Sequence, residues 1–143
     1  MNAPCAFCSI IAGESPASIV HEDEHTLSFM DCRQFNVGHV LVVPRVHLHD
    51  LRELSPPLGA ALMTAVVQVT RAVDRAFPGD GISVWHSIGP AAFQEVPHLH
   101  IHVHPRVVGD GMLRIYPSEV PLPGAAALDH YAARVREQLR REC

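Results

Sequence analysis

"EVPHLHIHVHPR", residues 95–106, places histidine at every second position, His98, His100, His102 and His104, with Leu99, Ile101 and Val103 between them. A period of two belongs to the β-strand, in which residues i and i+2 share a face about 6.6 Å apart at a rise of roughly 3.3 Å per residue. The stretch is expected to be a strand with four imidazoles on one face and aliphatic carbon on the other. The aliphatic face needs a hydrophobic partner. The imidazole face needs water, a ligand or a metal.

The hydrophobic partner is found upstream. From Ser55, "SPPLGAALMTAVVQVTRAVDRAF" offers an N-cap, prolines in the first turn and then helical composition. Leu58, Leu62, Val66, Val69 and Val73 recur at three- and four-residue steps, so one face of a long helix is apolar. "VGHVLVVPR" is a β-branched run closed by Pro44, expected as a buried strand. "ASIVHEDEHTLSFMD" predicts two short strands around an acidic turn, and "ISVWHSIG" one more. "FCSIIAGESP" predicts one or two helical turns ending at Gly13. "GDGMLRIYPSEVPLPG" reads as irregular, and "AAALDHYAARVREQLRRE" as a terminal helix. The expectation is an α+β domain: an antiparallel sheet of about five strands with one long helix packed on it.

Composition narrows the chemistry. The chain has 143 residues, of which 48% are hydrophobic, enough for one compact domain with a single core. A net charge of -4 gives no basic surface for a nucleic-acid backbone. Every one of the 11 basic residues is arginine, which removes a P-loop lysine and a Schiff-base lysine together. No apolar run reaches the roughly 20 residues of a membrane span, and the first ten residues lack the pattern of a signal peptide. A cytoplasmic protein that binds neither membrane nor nucleic acid is expected. Cys5 and Cys8 form a C-x-x-C, a spacing shared by metal and redox sites.

Three readings of the histidine row stand. It is a solvated polar face, a zinc-type cluster, or a surface that binds and attacks phosphate. Metal binding requires neutral imidazoles converging to about 2.1 Å from one ion. Phosphoryl chemistry requires one neutral imidazole in line with phosphorus and further groups on the equatorial oxygens. Histidine suits attack, because an unperturbed pKa of about 6.5 leaves much of it neutral at pH 7.

"HLHIHVHPR" resembles the signature of the histidine triad (HIT) superfamily, H-φ-H-φ-H-φ-φ, where φ is apolar. "GPAAFQEVPH" is similar to the family's loop leading into that strand. "MDCRQFNVGHVLVVPRVHLHDL" resembles its D-x-x-P-x-x-x-G-H-x-L-V-I-P-K-x-H, and "CAFCSIIAGESPASIVHEDE" its amino-terminal motif. The resemblance spans residues 5–106 and points to zinc-containing members of the HINT and FHIT branches. It implies one domain over 1–143, with 107–143 as an extension carrying the terminal helix.

The resemblance implies a nucleotide hydrolase or transferase, a homodimer acting on a purine nucleotide. Its targets are the α-phosphates of nucleoside phosphoramidates or dinucleoside polyphosphates. His100 corresponds to the nucleophile that forms a nucleotidyl-histidine. His102 corresponds to the residue that binds phosphate and helps the departing group, and His39 to a supporting residue. Asp31 falls on the ribose-binding acid. Phe7, Ile10 and Phe29 fall on positions that sandwich the base, with ordinary core packing as their alternative. Ser87 and Gln94 fall on phosphate-side positions. In its zinc site the chain resembles galactose-1-phosphate uridylyltransferase, which implies that Cys5, Cys8, His47 and His98 hold structural Zn2+. Free thiols are the alternative there, and His49 competes with His47. A zinc-stabilised nucleotide-binding module with little turnover is the alternative function.

Four departures from the motifs bear on substrate. Ser87 is shorter than the usual amide, and Phe93 replaces a loop glycine. His104 replaces an apolar residue; it and His86 are expected to be solvated strand-end histidines. Glu95 stands where a hydroxyl is common. An unpaired carboxylate about 4 Å from a phosphate charge costs on the order of 4 kcal/mol at an effective dielectric near 20. Glu95 is therefore expected either to point away or to favour a cationic amine leaving group.

Overall fold

The structure is a computed structural model that describes residues 5–112, 116 and 118–141. The chain divides into two compact units, Met1–Asp110 and Gly111–Cys143. The first unit carries every motif.

Five strands form one antiparallel sheet in the order β1-β2-β3-β5-β4: β1 Ile19–Glu22, β2 Thr26–Met30, β3 Val40–Pro44, β4 Gly81–Trp85 and β5 Ile101–Arg106. The central strand β3 is buried along its whole length, as a β-branched run with both faces covered must be. Alternation then sorts its side chains. Val40 and Val42 join Leu99, Ile101 and Val103 in a core beneath helix α2, Pro56–Ala76. Leu41 and Val43 turn to the opposite face and pack with Leu27, Phe29 and Phe7 of the short helix α1, Ala6–Ile11.

The apolar stripe of α2 is buried at Leu62, Ala65, Val66, Val69 and Val73, while Leu58 at its start is half-buried. Each fully buried Leu or Val contributes roughly 1.5–3 kcal/mol of transfer free energy. Ser55 occupies the N-cap position, yet its hydroxyl makes no capping bond; Pro56 and Pro57 supply the preset first turn instead.

The histidine row differs from its expectation at both ends. The strand begins only at Ile101, because Pro97 has no N–H and the His98 N–H turns back to the Val96 carbonyl at 2.9 Å. His98 thus lies in the lead-in, while His100, His102 and His104 keep the alternation opposite Ile101 and Val103. His104 is not solvated: it is fully buried, and its Nε2 finds no partner among the described residues. Nor is His86 a solvated end; it is half-buried and holds the His100 carbonyl at 2.9 Å.

In the second unit, α3 spans Ala125–Arg141 and is closed by an i,i+4 pair from Arg141 to Glu137 at 2.6 Å. Leu128, Tyr131, Val135 and Leu139 lie along one of its faces and are all exposed. Residues 112, 116 and 118–124 have no helix or strand; the rest of the segment expected to be irregular, 113–115 and 117, lies outside the described residues, as does Cys143.

Candidate active site and metal centre

Backbone carbonyls decide what each imidazole offers. A ring nitrogen facing a carbonyl oxygen must be the one that carries hydrogen, so the other nitrogen of a neutral ring holds the lone pair. His100 donates from Nδ1 to the His98 carbonyl at 2.6 Å, leaving the Nε2 lone pair free. Burial pushes the pKa of His100 below the ordinary histidine range, so the ring is neutral at pH 7. The ring is buried, against the edge of Phe7 at 5.2 Å and beside His102 at 4.9 Å.

His39 and His102 form a line behind it. His39 donates from Nδ1 to the Arg33 carbonyl at 3.1 Å, so its Nε2 accepts from Nδ1 of His102 at 2.9 Å. That bond leaves the Nε2 lone pair of His102 on the same side of the sheet as that of His100. Asp31, buried, stands 3.7 Å from His39 Nδ1. Burial first, then the neighbouring His100 and His39, push the pKa of His102 down to about 3. Asp31, His39 and His102 bring donor atoms within 4.8 Å of one another. Because His39 is held by the Arg33 carbonyl at one nitrogen and by His102 at the other, with Asp31 alongside, neither of its nitrogens is left for a metal.

The loop between β2 and β3 owes its shape to Gln34, which the sequence reading missed. Its amide donates to the carbonyls of Asp31 and His39 at 2.7 and 2.9 Å and accepts from the N–H groups of Gly38 and His39 at 2.8 and 3.1 Å. Gly38 has φ +106°, a left-handed conformation that explains glycine before His39. Trp85, also missed, lies opposite His102 in the β4–β5 register and stacks on its ring at 4.2 Å with the planes 2° apart. A lone tryptophan among aliphatic strand residues was its only signal.

The remaining predicted residues are placed as follows. Phe7 and Phe29 meet edge to face at 5.4 Å within the α1-side core, and Ile10 packs half-buried at its margin. Ser87 is half-buried just beyond β4. Gln94 is committed to backbone, accepting from the Gly89 N–H at 2.9 Å and donating to the His49 carbonyl at 2.8 Å. Glu95 is exposed, and its charge is met by Arg33.

A second cluster lies next to the first. Cys5, Cys8, His47 and His98 bring four ligand atoms within 4.8 Å of one another. Sulfur-to-nitrogen distances of 3.5 Å for Cys5–His98, 3.6 Å for Cys8–His98 and 3.2 Å for Cys8–His47 bracket the roughly 3.5 Å expected around tetrahedral zinc. His98 donates from Nε2 to the Pro44 carbonyl at 2.9 Å, which aims the Nδ1 lone pair at the two sulfurs. Burial and the adjacent Cys5 push the Cys8 thiol up, so deprotonation here calls for a cation. His49 does not compete: its Nδ1 is turned to Asp50 at 3.2 Å.

Comparison with known proteins agrees with this geometry. The profile of the family described as HIT domain matches residues 12–108. The "Protein hit" of Bacillus subtilis is 40% identical over 108 residues, covering 75% of this chain and 74% of that one. An adenylylsulfatase of Arabidopsis thaliana is 36% identical over 71% of this chain and 52% of its own. An adenosine 5'-monophosphoramidase of Schizosaccharomyces pombe is 32% identical over 71% and 74%. Among solved structures, a HIT family member from Bacillus subtilis superposes with TM-score 0.88 at 32% identity over 94% of this chain and 96% of that one. A zinc-bound histidine triad protein from Mycobacterium smegmatis does so with TM-score 0.70 at 38% identity, over 80% and 84%.

Proposed function

The chain belongs to the HIT domain family, and from that premise we propose that it is a nucleotide hydrolase with His100 as its covalent nucleophile. Its substrates in this reading are nucleoside phosphoramidates or dinucleoside polyphosphates, attacked at the α-phosphate. The observation that carries the reading is the His100–His98 bond of 2.6 Å, which commits Nδ1 and presents a neutral Nε2 lone pair. A nucleophile needs that state at the pH of the reaction.

The Nε2 lone pair of His100 attacks phosphorus, an N–P bond forms, and the bond to the leaving group breaks with its electron pair on the leaving atom. A departing amine nitrogen takes a proton from solvent. Water then attacks phosphorus and gives its proton to Nε2 of His102, and the N–P bond breaks to return the pair to His100. Nucleoside monophosphate is the product. The imidazolium formed at His102 is supported by its bond to His39 and by the Asp31 carboxylate beyond.

Asp31 binds the ribose hydroxyls, Ile10 with Phe7 and Phe29 lines the base, and Ser87 donates to phosphate. Gln94 serves the same site by holding the loop from Gly89 to Val96. Cys5, Cys8, His47 and His98 hold structural Zn2+, which cross-links the amino-terminal turn, the segment after β3 and the lead-in to β5. Fixing His98 also fixes the carbonyl that orients His100. The family resemblance further implies a homodimer, and the whole chain as one HIT domain with an extension after residue 106.

The test is release of nucleoside monophosphate from adenosine 5'-phosphoramidate, adenylyl sulfate and a diadenosine polyphosphate, with acid-quench trapping of the adduct. His100→Ala should abolish both adduct and release while nucleotide affinity persists. Normal turnover by that variant refutes the assignment. Binding without release in the unsubstituted chain would instead make it a nucleotide-binding module.

A further inference from the structure

Arg33 and Glu95 join the two loops that flank the triad. The guanidinium meets the carboxylate with both arms, Nη1 to Oε1 at 3.1 Å and Nη2 to Oε2 at 2.9 Å. Neither end is buried: the side chains are 66% and 64% exposed. The Arg33 backbone is built into the site, its N–H on Asp31 Oδ1 at 2.7 Å and its carbonyl on His39 Nδ1 at 3.1 Å. Its Nε lies 3.8 Å from Asp31. A cation is thereby held beside the triad by a carboxylate from across the site, in a pair weak enough to exchange partners. Both ends face water, which screens the pair and lets either group exchange its partner.

Building on the hydrolase reading above, we infer that Arg33 selects for anionic leaving groups, with Glu95 as the counter-ion that keeps it in place until one arrives. The chemistry of departure makes the distinction. When His100 displaces sulfate from an adenylyl sulfate, the P–O bond breaks with its pair on oxygen, and sulfate leaves as a dianion that needs no proton. A guanidinium stabilises that charge as it develops, and its planar fork matches a tetrahedral oxyanion as it does a carboxylate. When the leaving atom is an amine nitrogen, the departing group needs a proton and gains nothing from a nearby cation. Glu95 therefore holds Arg33 only until an anion arrives; once Arg33 turns to the leaving group, the carboxylate, 64% exposed, is left to water.

The experiment compares kcat/KM for adenylyl sulfate and for adenosine 5'-phosphoramidate in the full chain and in two variants, scored as the ratio of the two substrates. Arg33→Gln should lower the sulfate-to-amine ratio by about 10- to 100-fold, the range for a hydrogen bond to a charged group. Glu95→Gln should raise it by up to about fivefold, because Arg33 no longer has to leave a partner. Opposite shifts in two surface variants are not a folding effect. A ratio that stays constant in both, or falls in both, overturns the inference while leaving the hydrolase reading intact. A chain that releases monophosphate from neither substrate removes the hydrolase reading and the inference with it.

Discussion

Replacing Gly38 by alanine is the sharpest test of how the site is held. A Cβ at position 38 would stand 2.6 and 2.9 Å from ring carbons of Phe77 and 3.0 Å from Cγ of Pro105. The backbone there has φ +106°, which costs a non-glycine residue roughly 1–2 kcal/mol. Phe77 is 38% exposed and can swing outward, but Pro105 is buried within β5 and cannot. Overpacking against such a neighbour costs about 1–3 kcal/mol. The sum is about 2–5 kcal/mol, or a fall in Tm of roughly 6–17 °C for a chain this size. Gly13→Ala is the control: φ is +76° there and nothing lies within 4 Å of the added carbon. Urea unfolding at fixed zinc concentration, followed by circular dichroism, measures both. Adding Phe77→Ala should recover part of the Gly38→Ala loss but none of the Gly13→Ala loss. If Gly38→Ala costs no more than Gly13→Ala, the close contact is not what demands glycine before His39.

Other outcomes follow from the same geometry. His102 has a folded pKa of about 3 against an unfolded value near 6.5, so its contribution is complete above pH 6.5 and is lost as pH falls toward 3. The unfolded chain then binds a proton that the folded one does not, a slope of about 1.4 kcal/mol per pH unit. Urea titrations between pH 7.5 and 5 should show that slope reduced in His102→Gln; equal slopes would refute it. Cys8→Ser should lower zinc affinity by more than about 100-fold, beyond the loss typical of an outer partner, and lower Tm before it weakens nucleotide binding. Metal analysis alongside calorimetry checks this. His104→Leu should be neutral or stabilising by about 1 kcal/mol, since it removes a buried nitrogen that has no partner among the described residues. The Pro105 carbonyl that His104 gives up keeps its bond from Asn36 at 3.0 Å. A loss above about 2 kcal/mol in chemical denaturation would contradict that.

Local pattern carried most of the fold. Alternation in "HIHVH" and the three- and four-residue steps from Leu62 to Val73 record which side of each element meets the core, because side-chain direction repeats with the backbone period. The same logic placed the two short strands around Glu22 to Glu24. It failed at His98, where Pro97 delays the ladder, and at His104, where covering aromatic and imidazole rings turn an outward position into a buried one.

The sequence by itself determined the strands, the long helix, the order of the motifs and the residue types available for phosphate and metal chemistry. Those properties depend on neighbours within a few residues along the chain. Only the tertiary structure decided that His47 rather than His49 faces the cysteines, that carbonyls of His98, Arg33 and Pro44 set which nitrogen each imidazole leaves free, and that Arg33 reaches Glu95. The contacts of His47 with Cys8, of Pro44 with His98 and of Arg33 with Glu95 join segments far apart in the chain, and the nearer ones, His98 to His100 and Arg33 to His39, depend on ring orientations set by packing. Their distances and directions come from how the sheet brings loops together, which no local period encodes.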